Sequence, residues 1–473
     1  MSPNLNSAPH SDAKTIPSPS ASSRVRSRSR FWMLAGLCLG YFMVLLDTTV
    51  VSVALPAIRS DLGGGLAGLQ WVANAYTIVF AGLLLTMGAL SDRLGAKRIY
   101  AAGLAAFVAA SALSAAAPSL GALIALRALL GLGGAALLPA SLALVANEYR
   151  DPARRTRALG IWAAVTGVAL ASGPVAGGVL VDAFGWRSIF LLNVPLGLAS
   201  LAATVRLAAE TPRQRSRGFD PAGQLAAIAA IAGLSYALME GESYGWGSAP
   251  VLGALAIAIA AAAAFVVIEA RSRSPLLPLS LFRHPTVSAG MLAGMAINVG
   301  FAGILFLLPL YFQQTLGWSA GSSGLALLPL TLPMAVGPIL TGRLASRIGP
   351  RIPLTVGFVL VSAGTLVQAW IGADTPYAVP AAGLLLTGIG IPFIIPPLTA
   401  AVLSSAPKEL TGAASGALNS SRQVGSALGV AIPGAIIAAS GSFLSGLHLA
   451  LLAAFFVLLA GGVLSYAYIG RRP

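Results

Sequence analysis

Fourteen apolar runs, each near the length that crosses a bilayer, follow one another along the chain with short connections between them. They lie at about 31–56, 69–90, 98–117, 120–143, 157–181, 188–208, 221–240, 249–270, 286–310, 321–342, 352–371, 376–403, 411–439 and 447–469. Roughly 20 residues of helix span the hydrocarbon core. Inside it the backbone must satisfy its own polar groups, which makes such runs helices. Only 9% of the residues are charged, against about 25% in soluble proteins. The expectation is an all-α polytopic membrane protein with 14 transmembrane helices, and with no soluble stretch long enough to hold a core.

A net charge of +15 could suggest a nucleic-acid partner, but its distribution argues against one. About 25 of the 29 Lys and Arg fall in the terminal segments and in alternate connections, 17 of them in five basic connections. These are 91–98 (Arg93, Lys97, Arg98), 149–157 (Arg150, Arg154, Arg155, Arg157), 206–220 (Arg206, Arg213, Arg215, Arg217), 271–285 (Arg271, Arg273, Arg283) and 343–351 (Arg343, Arg347, Arg351). The intervening loops carry Asp61, Asp182, Glu240, Glu242 and Asp374, with Arg59 and Arg187 as their cations. Such asymmetry places the basic connections in the cytoplasm, where they meet anionic lipid headgroups. An even number of spans then puts both termini there.

Residues 1–30 are Ser-, Pro-, Asn- and Arg-rich and read as a disordered basic cytoplasmic tail. The apolar run that follows is too long for a cleaved signal peptide. Cys38 has no partner for an intramolecular disulfide, and His10, His284 and His448 are scattered, so no metal site is suggested. No phosphate-binding Gly-Lys-Ser/Thr loop is found, so ATP drive is unsupported and no cofactor is expected.

The chain repeats itself. Gly88-Ala-Leu-Ser-Asp92-Arg93-Leu-Gly95-Ala-Lys97-Arg98 resembles the stretch from Gly342 to Arg351, 254 residues later. Leu55-Pro56 and Leu308-Pro309 close the preceding apolar runs at nearly that offset. Two six-helix halves, 31–208 and 286–473, with a two-helix insertion in 209–285, account for the repeat and the count. Related halves with a substrate site between them near midplane are a known transporter architecture. Phe301 stands where Asp47 would fall in the second half, and Ser346 where Asp92 falls, so ion coupling is expected in the first half.

Asp47 is the acid deepest in any span. A carboxylate there costs on the order of 2.5–3.5 kcal/mol on insertion scales and marks a functional site or a structural hydrogen bond to a neighbouring helix. Arg127 lies well inside the fourth run and makes its natural counter-charge; snorkelling or binding to backbone carbonyls is the alternative. Gly131, Gly133 and Gly134 allow the close helix approach such a pair needs. The 88–98 turn suits conformational gating through Gly88, Asp92, Arg93, Gly95, Lys97 and Arg98, or simply fixes topology. Gly173, Pro174, Gly177 and Gly178 make the fifth span bendable and closely packed. Arg422 is expected near the inner surface, snorkelling, and Glu240 with Glu242 as solvated loop acids.

At this point the chain resembles the fourteen-helix drug:proton antiporter family of the major facilitator superfamily. The resemblance runs from Leu46-Asp47-Thr48-Thr49-Val50-Val51-Ser52-Val53-Ala54-Leu55-Pro56 through Leu69-Gln70-Trp71-Val72 with Tyr76 and the 88–98 loop. It continues through Gly185-Trp186-Arg187-Ser188-Ile189-Phe190-Leu191-Leu192-Asn193-Val194-Pro195-Leu196-Gly197, Phe219-Asp220, Pro275-Leu276 and Arg422-Gln423-Val424-Gly425. It implies proton-coupled export of small hydrophobic, often cationic compounds across a bacterial inner membrane. It also implies Asp47 and Arg127 as the proton-coupling pair, and Gly173, Pro174, Gly177 and Gly178 as the antiporter motif. Ala96, Leu130, Ala169 and Ser188 depart from the family pattern. Two other readings are a dedicated exporter of one endogenous secondary metabolite or lipid, and a non-transporting membrane receptor or scaffold. An enzyme is not expected, because no paired acids or His cluster face one another.

Overall fold

The computed structural model describes residues 21–149, 151–213, 220–272, 275, 277–407 and 410–470. Most of the expected tail (1–20), four of the basic-connection residues (Arg150, Arg215, Arg217, Arg273), Phe219 and Leu276 lie outside the described residues. Everything described is helix or short connection. The elements of the first half are α1 (Ala21–Leu62), α2 (Leu66–Leu94), α3 (Ala96–Ala115), α4 (Leu120–Glu148), α5 (Pro152–Phe184) and α6 (Arg187–Leu207). The insertion is α7 (Pro221–Tyr244) and α8 (Ala249–Arg271). The second half has α9 (Pro285–Leu310), α10 (Ala320–Ala326), α11 (Leu328–Ile348), α12 (Arg351–Gln368), α13 (Ala378–Ser405), α14 (Thr411–Ala438) and α15 (Phe443–Tyr468). Helix α1 begins at Ala21, about ten residues before the expected span.

Local chemistry sets the helix ends. Asp151 and Asp220 each accept a backbone N–H three residues on, at 2.9 and 2.8 Å, and each is followed by proline at the first helical position. Helices α2 and α11 both end on a glycine with positive φ, Gly95 at 103° and Gly349 at 81°. These two glycines are 254 residues apart, the offset of the sequence repeat.

Twelve described helices are long and apolar enough to cross a membrane. Helices α10 and α11, bent by 45° at Leu327, make a thirteenth as a pair. The bend falls where Pro329 has no N–H to continue the helical ladder. The one expected span still missing from this count, the thirteenth in chain order at 411–439, is α14. It is 28 residues long and packs along α9, α2 and α15, but Ser415, Asn419, Ser420, Ser421, Arg422 and Gln423 keep its apolarity below that of a span.

The two halves pack alike. In the first, α2 and α3 pack on α4, α1 on α5 and α6, and α3 on α6. In the second, α11 and α12 pack on α13, α9 on α14 and α15, and α12 on α15. The insertion leans on the seam between halves, because α7 touches both α2 and α14. Gln224 of α7 donates to the carbonyl of Gly82 and accepts from Thr86. Glu240 corrects the expectation of a solvated acid: it is half-buried and accepts the indole N–H of Trp71 at 2.9 Å.

Candidate functional site

Asp47 is fully buried on α1, and Arg127 on α4 is 1% exposed. The guanidinium donates Nη1 to the carboxylate of Asp47, and its Nε donates to the carbonyl of Val72 at 3.0 Å. Its Cζ also lies 4.8 Å from the ring centre of Tyr76, over the π face. Gly131 and Gly134, one turn and two turns further along α4, let that helix close on Tyr76 and Phe80 of α2. The ion pair therefore rests on a tight α2–α4 seam.

Asn193 of α6 completes the shell of the acid. Its amide donates to Oδ1 of Asp47 at 3.3 Å and to the hydroxyl of Ser111 at 3.0 Å. Ser111 in turn donates to the carbonyl of Phe190 at 3.0 Å. Asn193 stands inside the stretch from Gly185 to Gly197 that carries the family resemblance, and the linear pattern assigns it no role. The available signal was a carboxamide in an otherwise apolar run.

Arg127 also lines a cavity between the two halves. Its volume is about 150 Å³, below the 300–1,000 Å³ or so of drug-sized ligand sites, so a drug-sized occupant requires the halves to move. Tyr41, Thr49 and Thr166 line it from the first half, and Phe301, Asn298 and Arg422 from the second. Tyr41 stacks on Trp162, ring centres 3.9 Å apart, and shares a 3.0 Å hydrogen bond with Thr166. Arg422 is thus corrected from an inner-surface position to a cavity wall: it stands eleven residues into α14, too far along for its head to reach the basic end.

At the end opposite the basic connections, the glycines of α5 pack it both on α1 of its own half and on α10 of the other. A Cβ on Gly177 would sit 2.7 Å from the carbonyl oxygen of Val50 on α1, and one on Gly178 would reach 2.9 Å from Gly321 on α10. Gly173 likewise abuts Thr49, and the carbonyl of Pro174 faces Gly324. Beyond them Asp182 accepts from the Ser319 hydroxyl at 2.7 Å and the Gly321 N–H at 2.8 Å. Gln313 donates to the carbonyl of Val53 at 3.0 Å, and Gln70 to those of Val430 and Ala431 at 2.9 and 3.0 Å. At this far end the halves are shut.

At the basic end, the 88–98 turn is anchored by a residue that sequence reasoning passed over. Glu210, just after α6, accepts the backbone N–H of Lys97 at 2.9 Å and lies 3.8 Å from Nε of Arg98. Thr211 accepts from the N–H of Ala96 at 2.8 Å. Together they cap the otherwise unsatisfied start of α3. Gly95 is required by its positive φ and by the Glu210 carboxylate. A Cβ on Gly88 would make only an ordinary 3.7 Å contact with Pro139. Asp92 is half-buried, and Arg93 is exposed.

Known proteins resemble the chain along most of its length. The sequence model of the Major Facilitator Superfamily matches residues 37–430. The Methylenomycin A resistance protein of Streptomyces coelicolor is 38% identical over 438 residues, 93% of this chain and 92% of that protein. The Tetracenomycin C resistance and export protein of Streptomyces glaucescens is 37% identical over 413 residues, 87% of this chain and 77% of that protein. Among solved structures, a bacterial homolog of the human lysosomal transporter Spinster superposes with a TM-score of 0.64 over 93% of this chain and 97% of its own. At 17% identity that likeness speaks to the fold alone. With a family match over most of its length, and with drug-resistance and export proteins as its relatives, the chain belongs to the Major Facilitator Superfamily of membrane transporters.

Proposed function

We propose that the protein is a proton-coupled antiporter that exports hydrophobic drugs or antibiotics from the cytoplasm by alternating access. The observation that carries this reading is the buried Asp47–Arg127 pair, set against a cavity between two similarly packed halves. A buried pair is stable while both charges are present, and losing one partner leaves the other charge uncompensated. Protonation of Asp47 would release Arg127 toward the cavity it already lines, so the two protonation states favour different arrangements of α1 and α4. Asn193 would hold the carboxylate in place in the charged state.

In this scheme a proton arriving from outside neutralises Asp47, and substrate occupies the cavity when the acid is charged. The basic end faces the cytoplasm, with both termini there, and α14 completes the fourteen spans, less apolar than the rest because its polar face lines the cavity. The halves 31–208 and 286–473 rock about the central cavity while 209–285 braces the seam. Gly173, Pro174, Gly177 and Gly178 form the packing surface that opens and closes at the far end. Gly88, Asp92, Arg93, Gly95, Lys97 and Arg98 form the gating turn at the basic end. The resemblance adds cationic substrates, but the cavity wall offers no acid to receive them among the described residues.

Export of a single antibiotic is the second reading, favoured by the names of the two relatives, each of which specifies one compound. Substrate competition separates the two. The test of the main reading is transport by proteoliposomes under an imposed pH gradient. Wild-type protein is expected to accumulate fluorescent drugs, and Asp47→Asn to lose gradient-driven accumulation while remaining folded in the membrane. Undiminished active transport by that variant would remove Asp47 from its role.

A further inference from the structure

Two guanidinium groups border the central cavity, and only one has a counter-charge. Arg127 is held by Asp47. Arg422, projecting from α14 of the other half, is in no ion pair among the described residues. Its Nε is sealed from solvent without an acceptor. No Asp or Glu stands among the described residues that line the cavity. Apart from Arg127, the other polar groups that line the cavity are neutral, among them Tyr41, Asn298, Asn419, Gln423 and Ser426. Two of these spend their amide on their own helix, Asn298 on the carbonyl of Gly294 at 2.9 Å and Asn419 on that of Ser415 at 3.0 Å. Their oxygens can still accept a hydrogen bond, but neither supplies a counter-charge.

A cation at membrane depth requires a partner or water, and a guanidinium pairs a carboxylate through two parallel hydrogen bonds. Apolar and aromatic wall lies close by, with Phe301 and Phe306 on α9 and the Tyr41–Trp162 stack behind. We infer that Arg422 is the substrate-anchoring residue and that the preferred substrates are hydrophobic molecules bearing a carboxylate or a comparably acidic oxygen group. This inference rests on the exporter reading for the direction of transport, and on the cavity alone for the chemistry of binding. It sets aside the cationic preference that the family resemblance implies: a cation entering here meets two guanidiniums, while the carboxylate of Asp47 is fully buried behind one of them.

Equilibrium binding by the full-length protein in nanodiscs, with no gradient imposed, tests the site. The probes are 2-naphthylacetate, its primary amide and 2-naphthylethylammonium, which share an apolar body and differ in charge. Wild-type protein is expected to bind the carboxylate about tenfold or more tightly than the cation, the scale of a hydrogen bond to a charged group. Arg422→Gln should erase that preference and lower the affinity for the carboxylate by a far larger factor than that for the amide, whereas Arg422→Lys, which keeps the charge but loses the fork, should retain part of it. A wild-type preference for the cation, an unchanged preference in Arg422→Gln, or binding of no probe would each overturn the inference. If Arg422→Gln does not fold, the wild-type ratio and the partial ratio of Arg422→Lys decide. Gradient-driven transport separates the two readings. Export of the cation but not the carboxylate refutes the anchor and keeps the antiporter. Arg422-dependent carboxylate binding without gradient-driven movement keeps the anchor and refutes the antiporter.

Discussion

The side-chain amide of Asn193 on α6 lies 3.3 Å from the carboxylate of Asp47 on α1, on the oxygen that Arg127 does not take. The acid therefore has one cationic and one neutral donor, each on a different helix. The neutral one depends on Ser111, which the same amide also contacts at 3.0 Å. Helices α3, α4 and α6 thus all bear on one carboxyl group of α1.

Removing the neutral donor should weaken coupling without destroying the pair. Asn193→Ala deletes one hydrogen bond to a charged group, a contribution of about 1.5–3 kcal/mol. Gradient-driven efflux by proteoliposomes is expected to fall about tenfold or more if the bond is specific to one step of the cycle. The amount of folded protein in the membrane should change little. Wild-type efflux from Asn193→Ala would show that the amide only fills space.

The ion pair itself should behave asymmetrically. Arg127→Ala leaves a carboxylate buried without its cation, a change that costs about 3–5 kcal/mol. The double variant Asp47→Ala with Arg127→Ala removes both charges and should recover much of that loss. Thermal unfolding of the purified variants in detergent checks the order: wild type highest, the double variant between, Arg127→Ala lowest. Neither variant should couple efflux to a gradient.

Asp47 and Arg127 were legible in the sequence because a charge inside an apolar run is an energetic anomaly that needs a reason. Asn193 carries no such anomaly, since a carboxamide costs much less at depth, and nothing in the linear pattern tells which helix it faces. Glu210 was illegible for a related reason: an acid in a polar connection is cheap, and its partners, Lys97 and Arg98, lie over a hundred residues away. Arg422 shows how the span rule misleads. The Ser- and Asn-rich composition that lowers the apolarity of α14 places its polar face toward a cavity, whereas the position of the arginine near one end of a run suggested the membrane surface. The repeat, by contrast, was fully linear, and Gly95 and Gly349 end α2 and α11 in the same backbone conformation.

At the far end, Asp182 joins the halves by accepting two hydrogen bonds from the start of α10. Asp182→Ala removes both, and each contributes about 1.5–3 kcal/mol when the acceptor is charged. The variant should spend more time open at that end. A cysteine placed at Gln313, in a background lacking Cys38, is expected to react faster with a membrane-impermeant maleimide once Asp182 is replaced. An unchanged labelling rate would mean that glycine packing along α5 and the Gln70 hydrogen bonds close the far end without Asp182.

The charge of the substrate decides how the membrane potential acts on export. One proton entering for one monocation leaving moves no net charge, so the pH gradient alone drives it. One proton entering for one monoanion leaving moves two positive equivalents inward. Each is worth about 2.3 kcal/mol per 100 mV, about 4.6 kcal/mol for the pair, or more than three decades of accumulation ratio. Proteoliposomes clamped with valinomycin and a potassium gradient, at equal pH on both sides, separate the cases. With Arg422 as anchor, 2-naphthylacetate is expected to move against its gradient under an inside-negative potential, relative to the side bearing the basic connections. The ammonium analogue should not respond. Asp47→Asn should leave only the single charge of the anion to feel the potential, halving the dependence on voltage of whatever carboxylate movement survives.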